Sequence, residues 1–90
     1  MQDRGTILLT QLRRLAIIDY AINRTGGMAT ESAILLALQR AGLSATLRTI
    51  ERDVALLCNL GAPIAYDIPH KTYRLFGQWS LAKTIEEALE

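Results

Sequence analysis

Arg48 and Arg52 stand four residues apart in the run Thr46-Leu47-Arg48-Thr49-Ile50-Glu51-Arg52-Asp53. On a helix that spacing puts two side chains on one face, a turn apart. Guanidinium groups presented together suit anions: each can clamp a phosphate, or grip the N7 and O6 edge of guanine with two parallel hydrogen bonds. Either arginine can take either role. Thr46 and Thr49 add hydroxyls at the helix start, where free backbone amides also favour phosphate. The bland alternative is a pair of solvated arginines, or arginines tied to Glu51 and Asp53. A carboxylate facing phosphate would repel it, so Asp53 is expected to be structural, paired with Arg13 or Arg14. Glu51 is expected to be solvated.

These side chains need a helix to hold them. Leu47, Ile50, Val54 and Leu57 recur at three, four and three, the spacing of a core-facing stripe. The pattern predicts a helix over about 47–60, capped by Thr46, with one apolar face and one face of arginine and threonine. A helix built this way can enter the major groove of DNA. Upstream, Thr30 caps a helix over 31–40, with Ile34, Leu35 and Leu38 as its apolar side, and Gly42 to Ala45 make a turn. A first helix runs from Thr6 or Thr10 to Asn23, with Leu8, Leu12, Leu15, Ile18 and Ile22 facing the core. Gly26 and Gly27 close it. Downstream, Gly61-Ala62-Pro63 stops the third helix. Residues 63–67 and 72–76 then read as two strands around a tip at 68–71. Prolines at 63 and 69 suit edges and turns. His70 and Lys71 at the tip are candidate phosphate contacts, as is Thr30. Tyr66 and Tyr73 are expected to pack beneath the hairpin. Residues 80–90 read as a short amphipathic helix, with Leu81, Ile85 and Leu89 on one side and Trp79 holding it to the body.

The order of helix, turn, helix and hairpin predicts a winged helix-turn-helix: a three-helix core, a small β-hairpin and a C-terminal helix. The domain spans 1–78 and the tail 79–90. The stretch AGLSATLRTIERDVALLCNLGAPIAYDIPHKTYRL resembles the N-terminal DNA-binding domain of WYL-type transcriptional regulators, and more loosely that of DeoR-type repressors. The shared pattern is a Ser or Thr cap, R-T-[IV]-x-R-D, a leucine-rich helix end, G-x-P-I and Y-R-L. The resemblance covers about Leu12 to Leu75. It implies a sequence-specific regulator of transcription on double-stranded DNA, with 46–60 in the major groove and 63–76 on the backbone or minor groove. WYL-type regulators usually continue into a ligand-sensing domain. These 90 residues show none, so no small-molecule effector is expected in this chain.

Composition narrows the classes. One domain fits this length. The single Cys58 precludes an intrachain disulfide, and it is expected as a small buried apolar residue. One histidine leaves no acid–base pair. No nucleophile has a base nearby, and no Gly-rich phosphate loop is visible, so neither enzyme nor cofactor nor metal site is expected. The first apolar run is broken by Gln11, Arg13 and Arg14, so no signal peptide and no membrane span is read. A cytoplasmic location is expected. The net charge is only +1, but it is uneven: residues 1–78 carry nine Lys/Arg against six Asp/Glu, and 79–90 carry one against three. A modestly basic body predicts weak non-specific DNA affinity, and hence a homodimer on DNA. Ile17, Tyr20 and Ala21 on the outer side of the first helix, with Leu81, Ile85 and Leu89 of the tail, are the expected dimer surface. The alternative from another class is a winged helix that binds protein and not DNA, which the near-neutral charge favours.

Overall fold

The computed structural model describes residues 4–89. The first three residues of the expected domain, and Glu90 of the expected tail helix, lie outside the described residues. The chain runs α1 (Arg4–Arg24), β1 (Met28–Thr30), α2 (Glu31–Arg40), α3 (Leu47–Asn59), β2 (Ile64–Asp67), β3 (Thr72–Leu75) and α4 (Leu81–Ala88). It is mainly helical with a small antiparallel sheet in the order β1-β3-β2. No helix among the described residues is long and apolar enough to cross a membrane.

The helix ends are chemically specified. Thr30 Oγ1 accepts from Ala33 N at 3.1 Å and starts α2. Thr46 Oγ1 accepts from Thr49 N, and the Thr49 hydroxyl accepts from Thr46 N, so α3 opens with a reciprocal capping box. At the end of α2, Leu43 N bonds back to Leu38 O at 2.9 Å across Gly42, whose φ is +77°. This is a Schellman closure: glycine supplies the left-handed residue, and buried Leu43 adds the hydrophobic contact. Gly27 follows α1 under a tighter constraint. Its φ is +91°, and a Cβ there would sit 3.0 Å from Leu75 O.

The core is one cluster. Leu15, Ile18 and Ile22 of α1 meet Ile34 and Leu38 of α2, Ile50, Val54 and Leu57 of α3, and Tyr73 of β3. The inward faces of α2 and α3 follow the expected period. The α1 stripe does so only in its second half. Leu8 and Leu12, expected in the core, are 58% and 53% exposed. At about 1.5 Å per residue, the 21-residue α1 spans roughly twice the length of the 10-residue α2. Its first half therefore overhangs its partners.

Other expectations are corrected. Leu47, expected on the core stripe, is about half exposed. Cys58, expected buried, is exposed, because it lies about 100° of helix rotation past Leu57 and turns toward the hairpin, where its Sγ is 3.5 Å from Ile64 O. Pro63 and Phe76 fall just outside the strands. Residues 28–30 form a third strand that the sequence reading did not include. Met28, Ala29 and Thr30 pair with Arg74, Tyr73 and Thr72. Tyr73 is buried and Tyr66 lies against it with ring centroids 4.8 Å apart.

Candidate functional site

α3 sorts its side chains by rotation. Ile50, Asp53, Val54 and Leu57 point inward. Arg48 and Arg52 are exposed on the opposite face. No carboxylate among the described residues pairs with either arginine. The expected rival reading, in which Glu51 and Asp53 hold them, is absent from the structure.

Asp53 has a different partner. Its Oδ2 accepts from Arg14 Nε at 2.7 Å and its Oδ1 from Arg14 Nη2 at 3.3 Å. Asp53 is 3% exposed, so this pair also satisfies an otherwise buried carboxylate. The hydrogen bond to Asp53 holds the Arg14 guanidinium above its ordinary range, against the opposing pull of desolvation. The motif thus splits: its aspartate is consumed inside, and its arginines stay available outside.

At the start of α3, Thr46 Oγ1 and Thr49 Oγ1 are 3.1 Å apart. One hydroxyl donates to the other, which leaves one O–H hydrogen to reach outward. The first-turn amides of Leu47 and Arg48 have no intrahelical acceptor. Hydroxyl, amides and two guanidinium groups together can take up an anion. Beside them, a groove of about 630 Å³ runs between α1 and α3. It is lined by Gln11, Arg14, Thr49, Arg52, Asp53 and Asn59, among others.

The second group gathers at the hairpin. Thr30 pairs with Thr72, and Glu31 N donates to Lys71 O at 3.0 Å. This joins the hairpin tip to the start of α2. Thr30 and Lys71 are therefore neighbours, and Lys71, at φ +48°, is exposed. His70 is partly committed: its Nδ1 lies 3.0 Å from Asp67 Oδ2, and Arg74 Nη2 reaches the same oxygen at 3.0 Å. His70 first, and Arg74 with it, hold the Asp67 carboxyl below the usual range. Tyr66 donates to Glu31 Oε1; that bond pushes its phenol up to about 12. Burial, then the charges of Glu31 and Glu51, raise Tyr73. Glu31 and Glu51 thus both act on the Tyr73 phenol through their charge.

The expected dimer surface divides. Ala21 and Leu81 are buried in the core, and Ile17 packs against it. These are corrections: α1 meets α2 and α3 across a wide arc, and Leu81 plugs the body below α4. Tyr20, Ile85 and Leu89 are exposed. Tyr20 borders a shallow recess with Arg24, Leu36 and Arg40. Trp79 packs against the core, and the Leu81 amide donates to Asp19 Oδ2 at 3.3 Å. Burial raises the Asp19 carboxyl despite that bond.

Sequence reasoning missed Ala55 and Asn59, which share the outward face of α3. Asn59 is seven residues past Arg52 and eleven past Arg48, two and three helical turns, and that spacing was the available signal. No three His, Cys, Asp or Glu residues among those described group as metal ligands. Compared with protein-family models, curated proteins and solved structures, the chain has no significant match.

Proposed function

We propose that this chain is a winged helix-turn-helix that binds double-stranded DNA and regulates transcription, with α3 in the major groove and the β2–β3 hairpin against the backbone or minor groove. One observation carries the reading. Among the described residues, Arg48 and Arg52 are exposed and without a carboxylate partner on the outer face of α3, while Asp53 of the same motif is turned inward and neutralised by Arg14. Such a face suits a helix that meets phosphates and base edges, and the inward turn of Asp53 removes a carboxylate that would repel them. Small Ala55 between Arg52 and Asn59 lets the helix approach a groove floor. Lys71 beside Thr30 supplies a backbone contact on the flank. Two copies on a pseudo-palindromic site would set their α3 helices about 34–36 Å apart.

A second reading, a protein-binding module without DNA affinity, is favoured by the exposed Ile7, Leu8, Leu9 and Leu12. Selection of bound fragments from a random duplex pool separates the two. Recovery of a common sequence, with affinity that falls steeply as salt rises and falls again in Arg48→Ala and Arg52→Ala, supports the DNA reading. Failure to enrich any sequence, with salt-independent binding, overturns it.

A further inference from the structure

We propose that the chain forms a closed dimer in which the first half of α1 in each copy packs on α4 of the other. The proposal does not draw on the DNA reading. Ile7, Leu8, Leu9 and Leu12 all stand more than half exposed on two turns of α1. Residues 5–12 carry no charge, and the cations on either side, Arg4 and Arg13, make no ion pair among the described residues. Leu8, Leu9 and Leu12 fall within about 100° of helix rotation and form an apolar strip with basic ends; Ile7 lies to its side.

α4 is its complement. Leu81 is spent in the core, but Ile85 is 47% and Leu89 82% exposed on the same stripe. Of the α4 charges, Glu86 lies about 100° of helix rotation from Ile85, while Glu87 and Lys83 lie about 160° from it, on the side that borders Leu60 and Trp79. Within one copy the two strips do not cover each other. α4 departs from Asp19, and its Lys83, Thr84 and Glu87 border a recess shared with Leu60 and Trp79 near the end of α3. Both apolar strips are left to solvent.

Charge selects the occupant. Pairing α1 with α1 brings Arg4 and Arg13 against arginines, and pairing α4 with α4 leaves the α1 strips bare. Cross-pairing matches apolar to apolar and basic to acidic. A two-fold axis makes the contact twice, so the assembly closes at two copies.

Sedimentation of the full chain without DNA tests this. The expected result is a dimer with no larger species. Leu12→Glu and Ile85→Glu, both at exposed positions, should each weaken it about tenfold or more with circular dichroism unchanged. Arg13→Glu should weaken it too, and adding Glu86→Arg in the same chain should restore it. A monomer at every concentration overturns the proposal, as does an open ladder of oligomers. A dimer indifferent to Leu12→Glu or Ile85→Glu overturns it as well. So does a dimer that Arg13→Glu tightens, which is the mark of α1 paired with α1.

Discussion

Arg14 and Asp53, 39 residues apart in the chain, are joined by a 2.7 Å ion pair that ties α1 to α3. The pair sits beneath Thr49 and Arg52 at the floor of the α1–α3 groove. It therefore sets the rotation of α3 from below while the arginines above stay unengaged. Removing Arg14 strands a buried carboxylate. Arg14→Ala should destabilise by about 3–5 kcal/mol, measured by urea denaturation. Replacing both partners with leucine should cost clearly less, since no charge is then left unpaired.

The outer face of α3 should behave differently. Arg52→Ala and Arg48→Ala should leave the denaturation midpoint within about 0.5 kcal/mol of wild type. On a selected duplex, each should cost about 1–3 kcal/mol where it reads a base; a phosphate contact should instead show as a salt slope lower by about one. Titrations across a salt series distinguish the two roles.

The layer buried against α1 and the overhanging start of α1 should differ sharply. Ile50→Ala, in the fully buried layer against α1, should cost about 2–5 kcal/mol. Leu8→Ala, exposed, should change monomer stability by less than about 0.5 kcal/mol. Denaturation at dilutions where the chain is monomeric checks both.

Tyr66 should ionise late. Its bond to Glu31 raises the phenol to about 12 from an ordinary 10.0. A group whose folded pKa is raised contributes stability below its unfolded value and loses it as pH rises through the folded one. The contribution should therefore be intact below pH 10 and disappear between 10 and about 12. The tyrosinate absorbance of wild type minus Tyr66→Phe follows it. Glu31→Gln should move the Tyr66 step downward.

Among the described residues, one hydrogen bond to α1 accompanies the apolar docking of the tail. Asp19→Ala removes the partner of the Leu81 amide and should speed hydrogen exchange at Leu81 while the α2 amides keep their protection. Asp19→Asn retains an oxygen acceptor and should leave that exchange near wild type.

Much of this layout was readable before any coordinates. Thr30 and Gly42 bracket α2 because caps and left-handed residues are local chemistry. The exposure of Arg48 and Arg52 follows from helical period. Period gives rotation about an axis and says nothing about how far along it the partners extend, so Leu8 and Leu12 were misplaced while Leu15 and Ile18 were not. The strand at 28–30 is too short to alternate; it exists because β3 offers an edge. Asp53 was legible as structural, but the choice between Arg13 and Arg14 needed the packing angle of α1. His70 was legible as a tip residue. Its capture by Asp67 across the turn was not, because a three-residue separation in a turn has no fixed geometry until the turn type is known.

The three residues of β1 have a kinetic consequence. Met28 pairs with Arg74, 46 positions later, and everything between them is α2, α3 and the hairpin. The β2–β3 ladder closes a short loop and can form early, whereas the β1–β3 ladder must wait until a long segment has collapsed. The last backbone bonds to form should thus be those that fix the hairpin's tilt relative to the helices. Slowing of refolding in an Ala29→Pro chain, with helix formation at its normal rate, would place this closure at the final barrier.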